Sequence, residues 1–487
     1  MKTICTRSIL SLIAASLVVF LSLQFLVKQR PYAVVKAHRV YRLSSEETAA
    51  YTQEDAEAQV RKLVPFVEKV TGKLFRSIPK VEVVGQSNLS SALERDYLSQ
   101  LKKIEKTRET SRYDVKRRAK SEAATFLGKY GIQDKVIYLV PGNIHQYVKA
   151  GIIQKTTIPS VVEIIISHEL THALQDQVID IDKKIRSINQ LSVMESFNAA
   201  IEGHAVHVHE SVAKELGIDT SVINSIQKLV SSRIRLDEPM LQIMAEMSAA
   251  RFEVIYIGGK RFIEYHHKKG GNKRLWQILC MPPNELFKTF NVVTQPQKHY
   301  KEIDHSRILL DLEKYFKGHV WKVENFQITK MMLYATYAHI GVDQRNEIIS
   351  KMDHVQALTL KNQDDRFGNV SIFVLNDKSF GPKIIFTLEN MMKDYAEMLN
   401  KSPLYKIENL KFEDFAENQY ALARKLSFKL NPKHGKVIET GLVRICNEDI
   451  IIEITYSNFD LNEQDCIEIA QTVLQRYNHE KTLIEKN

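Results

Sequence analysis

The sequence contains little cysteine: four residues among 487, at positions 5, 280, 446 and 466. They form no CxxC pair and no Cys/His cluster, which argues against a structural metal site built on thiolates. Cys446 and Cys466 are the candidate disulfide pair, because both lie in the C-terminal part of the chain. Two buried thiols explain them equally well.

The sequence also lacks internal repeats, low-complexity tracts and any nucleic-acid-binding motif. Its net charge is +10, from 68 Lys and Arg against 58 Asp and Glu. Nine of the basic residues lie within 102–120, where Glu105, Glu109 and Asp114 interleave them. We therefore interpret this stretch as a solvated helix face or surface loop rather than a contact with anionic lipid, and no nucleic-acid partner is expected.

A long apolar run occupies the N-terminus. Residues 8–27 contain only Gln24 and four serines as polar groups, and twenty helical residues span about 30 Å, the thickness of a hydrocarbon core. Lys28, Gln29, Arg30 and Pro31 follow directly, where a cleaved signal peptide would place small residues. We predict that residues 1–30 are a transmembrane anchor or signal, favour the uncleaved anchor, and expect the bulk of the chain outside the cytoplasm.

Chain length and periodicity predict the α+β fold class. A chain of 487 residues exceeds one ordinary core. We predict a mainly helical domain with a short sheet over 44–341 and an accessory α+β module over 342–487. A capping-box pattern at Ser44 and Glu47 predicts a helix that ends at Gly72. Further predicted helices are 159–180, 191–216, 386–399 and 462–477, and predicted strands are 81–84, 135–140, 370–375, 423–430, 437–446 and 450–456.

A metal-binding pattern lies in the first of these further helices. His168, Glu169 and His172 form His-Glu-x-x-His. A spacing of four residues places both imidazoles on one helix face, where they can share one zinc ion. Glu169 points about 100° away and can act as general base without occupying the metal. The alternative is a helix whose histidines only pack or cap.

Glu202 is the best candidate for a third ligand. It lies thirty residues beyond His172, among Ala199, Ala200, Gly203 and Ala205, small residues that let two helices approach closely. A second helix can thus present one carboxylate to the zinc, leaving the fourth position for water. The alternative is an exposed helix glutamate.

Other polar residues near the motif have less certain roles. His204 points about 200° from Glu202 and is a poor ligand. His207 and His209 are candidates for solvated or supporting positions. Asp176 can accept the distal imidazole proton of His172, or be an exposed aspartate.

HELTHALQDQ (168–177) followed by AAIEGHA (199–205) resembles a family of largely uncharacterised bacterial zincins, and more distantly the thermolysin-like gluzincins. Tyr256, Phe262, the pair Gly270 and Gly271, and the pair 282–283 continue the pattern. The resemblance covers about 130–300 and implies a zinc metallopeptidase fold. It also implies substrate pairing with an edge strand, for which 135–140 is the candidate.

The chain departs from these families at two positions. The acidic residue after Glu-Gly is His204 here, and the aspartate four residues after the gluzincin ligand is Val206. The second departure removes one known support for a zinc histidine.

The predicted function is zinc-dependent hydrolysis of peptide bonds in a peptide or protein substrate by a membrane-tethered enzyme. His168, His172 and Glu202 would hold Zn²⁺, and Glu169 would be the catalytic base. Two alternatives stay open: a catalytically inactive zincin-like scaffold for envelope binding or assembly, and metal-dependent hydrolysis of another amide. The oxyanion-stabilising group is not identifiable from sequence; Tyr256, His209 and His266 are the candidates.

Overall fold

In the computed structural model the chain is an α+β protein that divides into two compact units. The described residues are 51–104, 112–188, 191–219, 221–224, 239–281, 312, 315, 322–327, 330–361, 367–402, 405–415, 420, 422–432, 437–458 and 461–485. One unit contains the described residues up to 224 together with 249–281. The other contains 239–248 and the described residues from 312 onward. The domain boundary that the sequence predicts between residues 341 and 342 stays a prediction.

The first unit is a mainly helical layer around a small sheet. Its elements, in chain order, are α1 (Gln53–Thr71), β1 (Lys80–Val83), α2 (Gln86–Ile104), α3 (Arg112–Ala123), β2 (Gly128–Gly131), β3 (Val136–Leu139), α4 (Pro141–Lys149), α5 (Ile158–Ile179), α6 (Ile181–Ser187) and α7 (Leu191–Glu215). The helix α8 (Pro239–Phe252), whose residues 239–248 belong to the second unit, continues through a π-helical turn, Glu253–Gly258, into α9 (Gly259–Cys280).

The capping box predicted at Ser44 and Glu47 does not cap α1, and these two residues lie outside the described part of the chain. The helix begins at Gln53, because the Thr52 side chain accepts from the Asp55 N–H and Asp55 bonds back to the Thr52 N–H. This reciprocal cap satisfies N–H groups that would otherwise lack partners. Gly72 ends the helix at φ 65°, as predicted.

The small sheet has the strand order β1-β3-β2. β1 pairs parallel with β3, and β2 pairs antiparallel with it. The prediction that residues 135–140 form the edge strand is therefore wrong, since all four residues of β3 are buried between two neighbours. Within the described residues, β1 and β2 are the two edge strands of this sheet. β2 packs on α5, since a Cβ at Gly128 would lie 2.6 Å from Cγ2 of Ile165.

Helices α5 and α7 carry the predicted motif, and both are largely buried. Gly203 of α7 lies directly against Gly259 of α9, since a Cβ at Gly203 would lie 2.1 Å from the Gly259 carbonyl carbon. A Cβ at Gly259 would lie 2.1 Å from the Ala199 carbonyl oxygen. The small residues around Glu202 thus permit the close helix approach that the sequence predicts, here against α9.

The second unit is built on a seven-stranded antiparallel sheet of order β4-β5-β6-β10-β9-β8-β7. Its elements are α10 (Lys330–Thr336), α11 (Val342–Lys351), α12 (Gly381–Asn400), α13 (Glu463–Glu485) and the strands β4 (Lys322–Gln327), β5 (Met352–Lys361), β6 (Phe367–Leu375), β7 (Tyr405–Asp414), β8 (Leu422–Pro432), β9 (Ile438–Asn447) and β10 (Ile450–Ser457). All strands and helices predicted after 342 are confirmed, while β4, β5 and β7 were not foreseen.

Cys446 and Cys466 are buried free thiols, so they form no disulfide. Burial raises the pKa of the Cys446 thiol to about 11.

The apolar run 8–27, the pair 282–283 and the capping box at 44–47 lie outside the described residues. In the part of the chain that the structure describes, no helix combines the length and apolarity needed to cross a bilayer.

Candidate metal centre

Three predicted ligands converge on one point. Nε2 of His168 lies 3.1 Å from Nε2 of His172 and 3.1 Å from Oε2 of Glu202, and Nε2 of His172 lies 3.3 Å from the same oxygen. The two histidines come from successive turns of α5, and the glutamate comes from α7. These three side chains form a group that could hold a metal ion.

The triangle has the dimensions of one face of a zinc coordination tetrahedron. Bonds of 2.0–2.1 Å at tetrahedral angles separate neighbouring ligand atoms by about 3.3 Å. Glu202 is a carboxylate, because its contacts with His172 and His168 lower its pKa well below the ordinary value although burial opposes this. Two imidazole nitrogens and one carboxylate oxygen are a donor set that zinc accepts, so the residues fit the ion.

Gln175 orients His172. Its Oε1 lies 2.9 Å from Nδ1 of His172, and its Nε2 donates to the Ile201 carbonyl and to Nδ1 of His204, both at 3.0 Å. Because an amide oxygen can only accept, Nδ1 of His172 carries a proton, and Nε2 is the nitrogen that faces His168 and Glu202. The amide thereby fixes both the ring orientation and the tautomer of this ligand.

His204, the residue that replaces an acidic one in the resembled family, completes this chain of contacts. It is buried, and its ring packs edge-on against Trp276, with centroids 5.3 Å apart. Burial and neighbouring imidazoles lower the pKa of His204 to about 3. It is therefore neutral at physiological pH and, as predicted, does not face the metal position.

Asp176 has neither of the two roles predicted for it. It is buried, and Oδ2 accepts from the Tyr130 hydroxyl at 2.9 Å and from Nζ of Lys135 at 2.5 Å, while Oδ1 accepts from the Ile181 N–H. The carboxylate therefore ties β2 and the start of β3 to helix α5. The sequence could not reveal this, because Tyr130 and Lys135 are more than forty residues away in the chain.

Glu169 is buried beside the three ligands, on the turn that separates the two histidines. The backbone N–H of Tyr130 donates to its Oε2 at 2.6 Å. A Cβ at Gly128 would lie 3.6 Å from its Cγ, so the edge strand lies directly along this side chain. The contact holds one carboxylate oxygen of Glu169 in place.

Tyr256 lies on the π-helical turn and faces the same group. The Glu202 carboxylate acts electrostatically on its hydroxyl, and its ring centroid lies 6.3 Å from that of His168. Burial, reinforced by the charges of Glu202 and Glu169, raises its pKa well above the ordinary value, so it is a neutral phenol. Such an insertion in a helix is common at functional sites.

Lys129, on the edge strand, was not singled out by the sequence. Burial disfavours its charge, but the carboxylates Glu202, Glu169, Asp96 and Glu122 outweigh that cost and raise its pKa. The ammonium is therefore charged and lies in the field of the proposed ligand and base. No motif marks it, because its relevance comes from the position of β2 beside α5.

The structure brings together His168, Glu169, His172, Glu202, Tyr256 and His209, all of which the sequence named. His207 is half-buried and lies beside His267, with ring centroids 5.0 Å apart. His266 packs on Phe262 and Tyr265. Neither ring has a contact with the three ligands among those found in the described residues.

No protein-family model matches the sequence, and no curated protein matches it significantly. Among solved structures, the extracellular domain of PknH from Mycobacterium tuberculosis is similar to 37% of this chain over 97% of its own length. The two share 8% identical residues and a TM-score of 0.26. A likeness at this level carries no inference about function.

Proposed function

We propose that this protein is a zincin-like metallopeptidase that hydrolyses peptide bonds, attached to a membrane through residues 8–27. The observation that carries the proposal is the 3.1–3.3 Å triangle of His168, His172 and Glu202 with Glu169 beside it. In this proposal the three ligands hold zinc. When bound, zinc would activate water at neutral pH and polarise the scissile carbonyl.

Glu169 is the proposed general base. It would take the proton of the attacking water and later deliver it to the leaving amine. The Tyr130 N–H holds Oε2 at 2.6 Å, so the carboxylate is positioned before substrate arrives. A metal-binding scaffold has no need of such a group, which supports the hydrolase over the scaffold.

Tyr256 is the proposed donor to the developing oxyanion. It is a neutral phenol in the field of Glu202 and Glu169, and its ring lies beside that of His168, so its O–H is proposed to reach the zinc site. A fixed donor at the point where negative charge develops stabilises the transition state more than the ground state. Of the three candidates named from sequence, Tyr256 has the contacts that suit this role, whereas His209 faces the back of His168.

The proposed substrate-binding strand is β2. It is an edge strand within the described part of the small sheet, and its residues Gly128 and Tyr130 contact Glu169. An extended peptide can add to such an edge through backbone hydrogen bonds, which would bring its scissile bond beside the base. The charge of Lys129 on the same strand favours substrates with an acidic group near the cleaved bond.

The test compares wild type with Glu169→Gln, both as full-length protein. Bound zinc is measured by elemental analysis, and turnover by cleavage of an unfolded protein. Retained zinc with turnover reduced by about 10²–10⁴-fold supports the peptidase. Glu163→Gln is the matched control, since Glu163 lies on the same helix and pairs with Lys62 instead. Equal turnover in wild type and Glu169→Gln would contradict the peptidase and favour one of the two alternatives, an inactive metal-binding scaffold or an enzyme that hydrolyses another amide.

A further inference from the structure

The Nδ1 atoms of His168 and His209 lie 3.1 Å apart. His168 comes from α5, and His209 comes from α7, seven residues after Glu202 on the same helix face. Their ring centroids are 5.3 Å apart with an interplanar angle of 45°, so the nitrogens face each other without the rings stacking. Only 7% of His209 is exposed, so water is a poor competitor for this contact.

A hydrogen bond between two imidazole nitrogens needs one proton and one lone pair. Nε2 of His168 faces Glu202 and His172, and it can bind a cation only if its own proton is on Nδ1. The only compatible direction has Nδ1–H of His168 donating to an unprotonated Nδ1 of His209.

We propose that His209 is a positioning residue of the metal centre, accepting the Nδ1 proton of His168 so that Nε2 faces the cation. This inference rests on the proposed zinc site. Histidine ligands usually donate this proton to a carboxylate, a backbone carbonyl or water. Here the residue four positions after Glu202, where gluzincins have aspartate, is Val206, and an imidazole one turn further replaces the carboxylate.

The second histidine ligand is supported in a similar way, by Gln175 of α5, which is in turn held by α7. His172 donates to Gln175, whose amide donates to Nδ1 of His204. Both ligands are thus held by uncharged acceptors, and α7 supplies Glu202, His204 and His209 within about two turns. The centre gains orientation without further negative charge beyond Glu202 and Glu169.

Two substitutions of His209 separate its role as a hydrogen-bond acceptor from its role in packing. His209→Asn places an amide oxygen near the position of Nδ1, whereas His209→Leu fills the space without an acceptor. The dissociation constant of zinc is measured for each full-length protein by competition with a chelating indicator. The matched control is His207→Leu on the same helix, because His207 faces His267 rather than a ligand.

We expect His209→Leu to weaken zinc binding by about 10–100-fold, and His209→Asn and His207→Leu to stay within a few-fold of wild type. Wild-type affinity in His209→Leu, or an equal loss in Leu and Asn, would overturn the inference. Wild type that binds no zinc would instead overturn the proposed function, which makes the two failures distinguishable.

A second measurement needs no variant, should the leucine protein fail to fold. In zinc-loaded wild type labelled with ¹⁵N-histidine, the inference expects His168 protonated at Nδ1 and His209 protonated at Nε2. A proton on Nδ1 of His209 would overturn it.

Discussion

The backbone N–H of Tyr130 donates to Oε2 of Glu169 over 2.6 Å, and the hydroxyl of the same tyrosine donates to Asp176 over 2.9 Å. Glu169 and Asp176 are seven residues apart and lie on one face of α5. Tyr130 of β2 is therefore hydrogen-bonded to α5 at two positions that lie two turns apart. The proposed base and the proposed substrate strand are held in a fixed relation before any ligand arrives.

Tyr256→Phe removes the hydroxyl next to Glu202 and keeps the ring against His168. If Tyr256 stabilises the oxyanion, kcat should fall by about 10²–10³-fold with little change in KM. Steady-state kinetics on a peptide substrate test this. Tyr265→Phe is the control, since Tyr265 contacts Lys269 and His266 instead. A change confined to KM would mean that Tyr256 binds substrate without stabilising the transition state.

Gly203→Ala introduces a Cβ 2.1 Å from the carbonyl carbon of Gly259, so α7 and α9 must separate. We expect the free energy of unfolding to fall by about 1–3 kcal/mol, as for other overpacked cores. Urea unfolding measures it. Gly85→Ala should have little effect, because no atom lies within 4 Å of the added Cβ. Equal stabilities of the two variants would contradict the close helix contact.

Removal of zinc should destabilise the first unit, because the three ligands come from two helices that the ion would link. At free zinc about 100 times the dissociation constant, binding adds about 2.7 kcal/mol to stability. Thermal unfolding with zinc and with a chelator measures the difference, which should vanish in Glu202→Ala. Glu215→Ala is the control, since this residue lies at the end of α7 and pairs with Lys69. A zinc-dependent shift that survives in Glu202→Ala would place the ion elsewhere.

The second unit should lose stability as the pH rises from about 5 to about 8. Glu453 is fully buried, and burial raises its pKa from 4.5 to about 7 although Arg444 donates to it at 2.7 Å. Between these values the folded protein holds a proton that the unfolded chain has released, so stability is greatest below the unfolded pKa. The free energy of unfolding therefore falls between pH 4.5 and about 7, by up to about 3 kcal/mol in total.

In Glu453→Gln the free energy of unfolding should change less with pH than in wild type, whatever the effect of the substitution on stability at any one pH. Urea unfolding of both proteins at pH 5 and pH 8 gives the two slopes. Identical slopes would mean that another group carries the pH dependence.

The sequence predicted the ligand triangle because helical spacing is a local property. His168 and His172 are one turn apart on any helix, and the small residues around Glu202 already indicated a close approach to another helix. Four of the seven strands of the second unit, β6, β8, β9 and β10, were equally readable, since apolar residues run through them almost without interruption, as in Ile450–Ser457.

What the sequence could not supply were relations between distant segments. One of the two roles considered for Asp176, acceptor of the His172 proton, rested on i+4 spacing, whereas Gln175 holds that position and Tyr130 binds the Asp176 carboxylate. The run 135–140 suggested an edge strand, but strand order depends on pairings with β1 and β2 that no local pattern encodes. Ser44 and Thr52 each have an acidic residue three positions further on, so the sequence alone could not distinguish the two candidate caps. The structure shows that Thr52 caps α1.

The central claim is that His168, His172 and Glu202 bind one zinc ion together. X-ray absorption at the zinc edge of the full-length protein, loaded with one equivalent and dialysed, tests it most directly. The account predicts two imidazole nitrogens at about 2.0–2.1 Å with the remaining positions filled by oxygen, and loss of one imidazole in His172→Ala. A zinc environment without histidine, or no zinc retained by the wild-type protein, would contradict it.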